Sequence, residues 1–307
     1  VMVYDISSDG SYPGTWNLTN VNGTLFFKNY DGNGWELWKS DGTSGGTSIV
    51  KNINPGSASS NLTNLLNIDG TLYFTANDGA NGFELWKSDG NEVGTVIVKD
   101  IRPGSGSSNP VNLVNSNGTL YFSAHDGTIG NELWKSDGTT DGTVIVKDIV
   151  SGSGSATPAN LTTVNGTLYF SANDVTTGTE LWKSNGSAAG TLLVKNIAAG
   201  SGSASPEYLT NVGGALFFRA NDGVNGYELW KSDGSEAGTQ MVQDIYPGSN
   251  GSNPNALTTA NGALYFSASD DVNGIEPWRA TFCSLEIFYA DIDGDGYGDP
   301  VNTALAF

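Results

Sequence analysis

Short apolar runs separated by polar turns recur along the whole chain. Between Leu113 and Ile149 the runs are LV, TLYFSA, NELWKS and TVIVKDI, with Asn-Gly, Asp-Gly and Gly-Thr between them. Such β-branched and aromatic runs, bounded by turn residues, predict short strands. Asn117-Gly118 is typical of a tight hairpin, whose two central residues need positive φ. Because helical periodicity is nowhere sustained, this segment predicts a four-stranded antiparallel meander.

The meander is one unit of an internal repeat. The motif ELW ends at five tryptophans spaced 48 residues apart, and the variant EPW ends at a sixth: Trp38, Trp86, Trp134, Trp182, Trp230 and Trp278. The runs TLYF, ELW and VIV are apolar on both faces, so each sheet must stack on neighbouring sheets. We therefore predict an all-β, six-bladed β-propeller of four-stranded antiparallel blades over residues 1–280. A linear solenoid with polar end caps is the alternative.

The two ends of the repeat array bear on this choice. The last unit departs from the pattern at TFCSLEIF, where TVIVKDI is due, so it lacks a recognisable fourth strand. The opening residues VMVYDI align with QMVQDI at residues 240–245. We predict that strand 1–6 completes the last blade, which would close the ring and remove both sheet edges. The alternative is a frayed terminal fragment.

The motif itself resembles a known repeat. ELWKSDGT, with a following GT, is similar to the ELWxxDGT repeats of large bacterial exported proteins, and the match extends from residue 1 to about residue 280. The resemblance implies propeller blades and no particular activity.

The turn SDGNEVGT at residues 88–95 sets a register between the third and fourth strands. It predicts the cross-strand pairs Ser88 with Thr95, Trp86 with Ile97, and Glu84 with Lys99. We interpret the repeated glutamates as surface ion pairs with lysine, and a ring of carboxylates is the alternative. We interpret the strand-embedded Trp86 as a core residue. The first unit also places Trp16 and Trp35 in predicted loops, where packing is favoured over sugar stacking.

Charge narrows the choice of partners. The chain has 32 Asp and Glu residues against 13 Lys and Arg, a net charge of −19. This field repels nucleic acid and anionic membranes. No apolar run approaches the roughly 20 residues of a membrane span, so membrane insertion is not expected. A composition rich in Gly, Ser, Thr and Asn, with the single Cys283, favours an extracellular or cell-surface protein.

Residues 281–307 differ in composition and carry a candidate metal site. In the segment FYADIDGDGYGDP, calcium-type oxygen ligands are expected from Asp291, Asp293, Asp295, Tyr297 (by its carbonyl) and Asp299. This spacing matches the first nine positions of a calcium loop, but the twelfth position holds Asn302, where a bidentate Glu is expected. The segment resembles the DxDxDGxGD motifs of thrombospondin type-3 and dockerin-like modules. We predict the start of a calcium-binding segment, with an acidic flexible linker as the alternative.

Candidate catalytic groups are sparse. The loops of the type ANDGxxG, which contain Asp78, Asp126 and Asp222, are predicted to form turns, with ion or sugar-hydroxyl binding as the alternative. His125 is the only histidine, and Arg102, Arg219 and Arg279 fall in different units. General-base or nucleophilic chemistry therefore has few candidates, although a pair of loop aspartates at suitable spacing remains open.

The sequence favours a non-enzymatic function. We expect an extracellular, adhesion-type binding or scaffold module for a glycan or protein ligand, with a calcium-binding C-terminal linker. The alternatives are a carbohydrate-active enzyme with its site at the loop end of the channel, and a structural subunit that self-associates on the cell surface.

Overall fold

The computed structural model describes residues 16–30, 32 and 34–280, and the backbone of residues 287–289. These residues contain 24 strands, which form six antiparallel sheets of four strands each. The chain divides into two compact units, Val1–Thr157 and Pro158–Phe307. Within every sheet the strands lie side by side in chain order. The predicted four-stranded meander is thus confirmed.

The first unit contains three sheets. Their strands are β1 (Trp16–Val21), β2 (Thr24–Tyr30), β3 (Trp35–Ser40) and β4 (Ser48–Lys51); β5 (Thr63–Ile68), β6 (Thr71–Asn77), β7 (Phe83–Ser88) and β8 (Val96–Lys99); and β9 (Val111–Ser116), β10 (Thr119–Ala124), β11 (Glu132–Ser136) and β12 (Val144–Lys147).

The second unit contains the other three. Their strands are β13 (Ala159–Val164), β14 (Thr167–Asn173), β15 (Thr179–Ser184) and β16 (Leu192–Lys195); β17 (Glu207–Val212), β18 (Ala215–Asn221), β19 (Tyr227–Ser232) and β20 (Gln240–Gln243); and β21 (Asn255–Ala260), β22 (Ala263–Ser269), β23 (Ile275–Ala280) and β24 (Ile287–Tyr289).

Turn chemistry fixes the hairpins as expected. Asn117 and Gly118 between β9 and β10 have φ values of 52° and 82°, so both central residues are left-handed. In the third-to-fourth strand turn, Ser88 Oγ and Thr95 Oγ1 are hydrogen-bonded at 2.7 Å. Trp86 lies opposite Ile97. These two predicted cross-strand pairs are therefore confirmed.

The same strand pair contains an irregularity that the turn spacing did not reveal. A bulge between Leu85 and Trp86 shifts the register of β7 against β8, so Lys99 lies opposite Leu85. The corresponding bulge occurs in the first five sheets. A bulge places two residues against one and re-aims the side chains beyond it. Glu84 is thereby released from the predicted pairing with Lys99.

Within each unit, apolar residues of neighbouring sheets pack together in clusters, one cluster for each pair of adjacent sheets. Phe26, Leu37 and Val50 of the first sheet pack in one cluster with Phe74 and Trp86 of the second. The same arrangement joins the second sheet to the third, the fourth to the fifth and the fifth to the sixth. Phe74 and Trp86 stack with ring centroids 6.5 Å apart. Burial of strands on both faces by adjacent sheets accounts for their nearly continuous apolar sequence.

The fourth position of the sixth sheet is occupied by β24, in which Tyr289 pairs with Trp278 of β23. The repeat pattern predicts residues 1–6 at this position, and these lie outside the described residues. Closure by residues 1–6 therefore stays a prediction. The described residues include no helix long and apolar enough to cross a membrane.

Candidate ligand-binding site

One end of each of the first five sheets brings together two loops. There the loop between the second and third strands meets the segment that leads to the next sheet. In the second sheet, the N–H of Phe83 donates to Ser107 Oγ at 2.9 Å, and the N–H of Ser108 donates to the Phe83 carbonyl at 3.0 Å. The N–H groups of Asn131 and Thr179 make the equivalent bonds to Ser155 and Ser203. We call this the loop end of a sheet.

The glutamate of the ELW motif holds the loop end together. Glu84 is fully buried, its Oε2 accepts a hydrogen bond of 2.9 Å from the N–H of Ile101, and its Oε1 accepts one of 2.8 Å from the N–H of Ser108. The same role is filled by Glu36, Glu132, Glu180 and Glu228. These carboxylates serve as structural acceptors for backbone groups that would otherwise be buried without partners.

The predicted ion pair between Glu84 and Lys99 is wrong. Lys99 Nζ instead donates to the carbonyl of Thr143 in the next sheet at 2.7 Å. Lys51 and Lys195 make the corresponding bonds to Thr95 and Thr239. The bulge separates the glutamate from the lysine. The glutamate therefore fixes the loop end, and the lysine links adjacent sheets.

A second lysine of the motif also links sheets. Lys87 Nζ donates to the carbonyl of Gly138, in the SDG turn of the next sheet, at 2.8 Å. Lys39 and Lys183 donate to Gly90 and Gly234 in the same way. In the ELWK part of the motif, the glutamate thus anchors the loop end, the tryptophan packs in the core and the lysine contacts the next sheet.

Burial of the glutamates changes their acidity. Burial raises the pKa of Glu84 to about 7, although hydrogen bonds from Ser108 and the N–H of Ile101 oppose the change. Burial raises the pKa of Glu180 to about 7 as well, against the N–H groups of Ile197, Ala198 and Ala204. A raised carboxyl pKa often accompanies catalysis, but here it follows from a repeated structural role.

The loop aspartates form turns, as expected. Asp78 Oδ1 accepts the N–H groups of Ala80 and Asn81 at 2.9 and 2.8 Å. Asp126 and Asp222 accept the corresponding two N–H groups. These hydrogen bonds hold the pKa of all three carboxyls below the usual range, although burial opposes them. The turn role is confirmed at each of these positions.

The third sheet departs from the repeat at its loop end. A cleft of about 330 Å³ is lined there by Arg102, His125, Thr128, Asn131, Ser153 and Ser155, with Gly127 and Gly130 beside them. Ile129 is the one large apolar side chain that lines it, and the other lining side chains carry polar groups. Its long polar side chains include both a guanidinium and the only imidazole of the chain. We call it the Arg102 cleft.

Two glycines confine the Arg102 side chain. A Cβ at Gly106 would lie 2.6 Å from Arg102 Nε, and a Cβ at Gly127 would lie 2.8 Å from the same atom. Arg102 Nη1 donates a long hydrogen bond of 3.5 Å to the Ser107 carbonyl. Within the described part of the chain Arg102 has no carboxylate at ion-pair distance. Its positive charge therefore lies in the cleft without an ion-pair partner among the described residues.

His125 replaces a capping asparagine. In the neighbouring repeats, Asn77 and Asn173 accept a loop N–H through their side chains at 2.7 and 2.6 Å. The His125 imidazole makes no such bond among the residues that the structure describes. Burial and, secondarily, the charge of Arg102 lower the pKa of His125, while Asp126 opposes them. The imidazole is therefore neutral near pH 7 and offers one donor and one acceptor.

The arginine of the fifth sheet lies in a different environment. Arg219 forms an ion pair with Glu207 and lies over the rings of Tyr208 and Tyr227, with its guanidinium carbon 5.0 and 4.8 Å from their centroids. This carboxylate neutralises Arg219, and the two aromatic rings cover it. Arg219 is thus engaged by its own sheet, in contrast to Arg102.

The two additional tryptophans of the first sheet lie in strands rather than in the predicted loops. Trp35 begins β3 and packs on Tyr30 at 5.7 Å, with Lys28 Nζ 5.4 Å from its ring. The packing role predicted for Trp35 is confirmed. Trp16 begins β1 and is 62% exposed, so its predicted packing role is wrong.

The predicted metal site cannot be compared with the structure. Its proposed ligands, Asp291, Asp293, Asp295, Tyr297 and Asp299, lie outside the described residues, as does Cys283. In the part of the chain that the structure describes, no three His, Cys, Asp or Glu side chains are grouped so that they could hold a metal ion. Calcium binding by the tail stays a prediction.

In the sequence Arg102 and His125 belong to different repeats, and the repeat pattern does not predict that they lie together. In the preceding repeat Asn54 stands at the position of Arg102 and would contact a Cβ at Gly79, the counterpart of Gly127. The sequence shows that Arg102 and His125 replace Asn54 and Asn77 of the preceding repeat, and the structure shows that the two replaced positions line one cleft.

Comparison with known proteins gave matches at the level of structure alone. No protein family and no curated protein matches the sequence. A puromycin hydrolase structure aligns with a TM-score of 0.53 and 12% identity, over 92% of this chain and 45% of that one. A prolyl endopeptidase aligns with a TM-score of 0.55 and 13% identity, over 88% and 41%. Prolyl oligopeptidase B from Galerina marginata, bound to a macrocyclization substrate, aligns with a TM-score of 0.53 and 12% identity, over 88% and 42%.

These likenesses decide the architecture. The chain has a β-propeller fold. Its six antiparallel sheets are the blades, as the repeat predicted. The propeller chain spans less than half the length of these peptidase structures. At 12–13% identity the similarity concerns the fold and not the activity.

Proposed function

We propose that this protein is a non-catalytic, extracellular binding module of the adhesion type. The propeller presents its loop ends to a glycan or protein ligand. The resemblance of its motif to the ELWxxDGT repeats of bacterial exported proteins supports a place outside the cell or on its surface. A net charge of −19 disfavours nucleic acid and anionic membranes as partners.

The observation that carries this proposal is that recurring residues of the repeat hold the fold together, while residues that differ between repeats line a cleft. The recurring residues Glu84, Trp86 and Lys87 are engaged in anchoring, packing and contacts between sheets. Among the residues that vary are Arg102 and His125, which line an open cleft at a loop end. A constant framework with variable loops is the arrangement by which rigid scaffolds support binding.

The departures from the repeat are also distributed over several blades. Lys28 and Trp35 differ in the first blade, His125 in the third, Arg219 and Tyr227 in the fifth. An enzyme with one active site would be expected to concentrate its unusual residues. This distribution favours binding over the alternative of a carbohydrate-active enzyme.

The segment 281–307 adds a metal ion to the proposed function. We include calcium as a ligand of residues 281–307, on the spacing of Asp291, Asp293 and Asp295. The propeller would then be joined through a calcium-ordered linker to neighbouring sequence. Self-association on the cell surface is the structural alternative.

Binding and turnover can be separated in one experiment. The immobilised protein is exposed to a panel of purified neutral and acidic polysaccharides and extracellular matrix proteins, and both retention and new reducing ends are measured. Retention without product supports the binding module. Release of reducing ends would establish the enzyme alternative, and a mass that rises with protein concentration, without any retention, would establish the structural subunit.

A further inference from the structure

The Arg102 cleft has the chemistry of a site for a small, singly charged, hydroxyl-rich anion. Arg102 supplies a fixed positive charge that no carboxylate neutralises in the described part of the chain. A guanidinium matches the geometry of a carboxylate and binds it through two parallel hydrogen bonds. The absence of a side chain at Gly106 and Gly127 leaves room for the Arg102 side chain beside the backbone of these two loops.

The walls of the cleft favour a sugar over a peptide. Hydroxyl and amide groups of Ser153, Ser155 and Asn131 line it, and His125 adds a neutral donor and acceptor. Ser155 Oγ already accepts the N–H of Asn131, yet its own hydrogen is available to donate. With only Ile129 as a large apolar contact, the cleft offers little to an apolar side chain. Sugar hydroxyls would satisfy such a lining.

The surrounding charge favours one negative charge over two. Asp126 lies beside His125 and stays ionised, because its turn hydrogen bonds hold its pKa low. The chain as a whole carries −19. A phosphate dianion would meet more repulsion from this field than a carboxylate would, for the same contact with Arg102.

From this lining and charge we propose that the Arg102 cleft binds a carboxylate-bearing sugar, a hexuronate, as a free residue or as a single charged unit of an otherwise neutral glycan. Arg102 binds the carboxylate, and His125 and Asn131 contact ring hydroxyls. This proposal rests on the proposed function, because it names the ligand class of the binding module. Arg219 is not expected to bind such a ligand, because its guanidinium already forms an ion pair with Glu207.

The test uses small probes and the whole chain. Calorimetric titrations with glucuronate and galacturonate are compared with glucose, which lacks the charge, with acetate, which lacks the hydroxyls, and with glucose 6-phosphate, a dianion. Hexuronate should bind more tightly than any of the other three. If acetate binds as tightly as hexuronate, the site recognises only a carboxylate and the sugar assignment is overturned. If glucose 6-phosphate binds more tightly than hexuronate, the carboxylate assignment is overturned.

Variants locate the binding. Arg102→Asn introduces the residue that the preceding repeat carries as Asn54, so it is compatible with the fold. It should weaken hexuronate binding about tenfold or more, the usual effect of losing a charged hydrogen bond. Arg279→Asn removes the same charge from an exposed position of β23 and should leave binding unchanged. Equal losses in both variants would show a general charge effect and contradict the proposal.

The single histidine gives an independent readout. The NMR signal of the His125 imidazole should shift on addition of glucuronate and should not shift with glucose. A carboxylate near the ring should also raise the pKa of His125, which burial and, secondarily, the charge of Arg102 hold low. If acidic polysaccharides are retained but free hexuronates neither bind nor shift this signal, the cleft assignment fails and the proposed function stands. If nothing in the panel is retained, the proposed function fails as well.

Discussion

Glu84 and Ile101 are joined by a hydrogen bond of 2.9 Å, in which the backbone N–H of Ile101 donates to Oε2 of the fully buried glutamate. The other oxygen, Oε1, accepts the N–H of Ser108 at 2.8 Å. One side chain thereby fixes both ends of the segment that leads from the second sheet to the third. Four further glutamates repeat this relationship, so the anchor is a property of the blade.

Glu84→Gln should therefore destabilise the protein although it conserves shape. Both carboxylate oxygens face backbone donors, so the new amide nitrogen must oppose either Ile101 or Ser108. An unsatisfied buried donor of this kind costs about 1–3 kcal/mol. Urea unfolding of Glu84→Gln, compared with Glu92→Gln at an exposed position, measures the difference. Equal free energies of unfolding in the two variants would contradict the anchoring role.

The pH dependence of stability follows from the same groups. Burial raises the pKa of Glu84 and of Glu180 to about 7. An ordinary glutamate in the unfolded chain titrates near 4.3. The folded state thus binds the proton more tightly, so this contribution to stability is fully present below the unfolded pKa and is lost as pH rises through about 7. The melting temperature should rise as the pH falls from 8.5 to 5.5.

Relief of repulsion among acidic surface groups would act in the same direction. Two controls separate the effects: added salt screens exposed charges, and Glu84→Gln removes one buried titrating group. The pH dependence should persist at 0.5 M salt and should be shallower in Glu84→Gln. A dependence that vanishes with salt would assign it to the surface.

Much of the fold could be predicted because its determinants are local. Asn117-Gly118 fixes a hairpin, and the apolar run around Trp86 fixes a doubly buried strand. The separation of Glu84 from Lys99 could not be predicted, because the bulge beside Trp86 changes the register without changing the turn. The Arg102 cleft could not be predicted for another reason. His125 belongs to the repeat after that of Arg102, and only the folded loops bring Arg102 and His125 together.

Gly138 and Gly42 allow a matched test of packing between sheets. Both have positive φ, 86° and 89°, in equivalent SDG turns. A Cβ at Gly138 would overlap the hydroxyl of Tyr73 from the preceding sheet, whereas a Cβ at Gly42 would meet nothing within 4 Å. Gly42→Ala should cost about 1–2 kcal/mol for the left-handed backbone. Gly138→Ala should cost about 1–3 kcal/mol more for overpacking, measured by urea unfolding. Equal costs would show that Tyr73 can move aside freely.

Calcium binding is predicted to reside in the tail. Calorimetric titration of the intact chain should show a calcium site that is lost in a chain ending at Ala280. Asp293→Asn with Asp295→Asn should abolish it as well, because both supply carboxylate ligands in the expected loop. Asp78→Asn is the control, since that carboxylate is engaged by its own turn. Binding retained by the shortened chain would place calcium in the propeller and contradict the tail assignment.

Either residues 1–6 or β24 completes the last blade, and truncation of each end of the chain distinguishes the two. If residues 1–6 follow the pattern of β20, Val3 takes the place of the buried Val242, and the N–H of Ile6 takes the place of Ile245, which binds Glu228. Deleting residues 1–6, or Val3→Asp alone, should then lower the melting temperature markedly, while ending the chain at Ala280 should change it little. The reverse result would show that β24, which pairs with β23, provides the fourth strand. The two truncations expose a similar sheet edge, so the one that destabilises identifies the strand that completes the sheet.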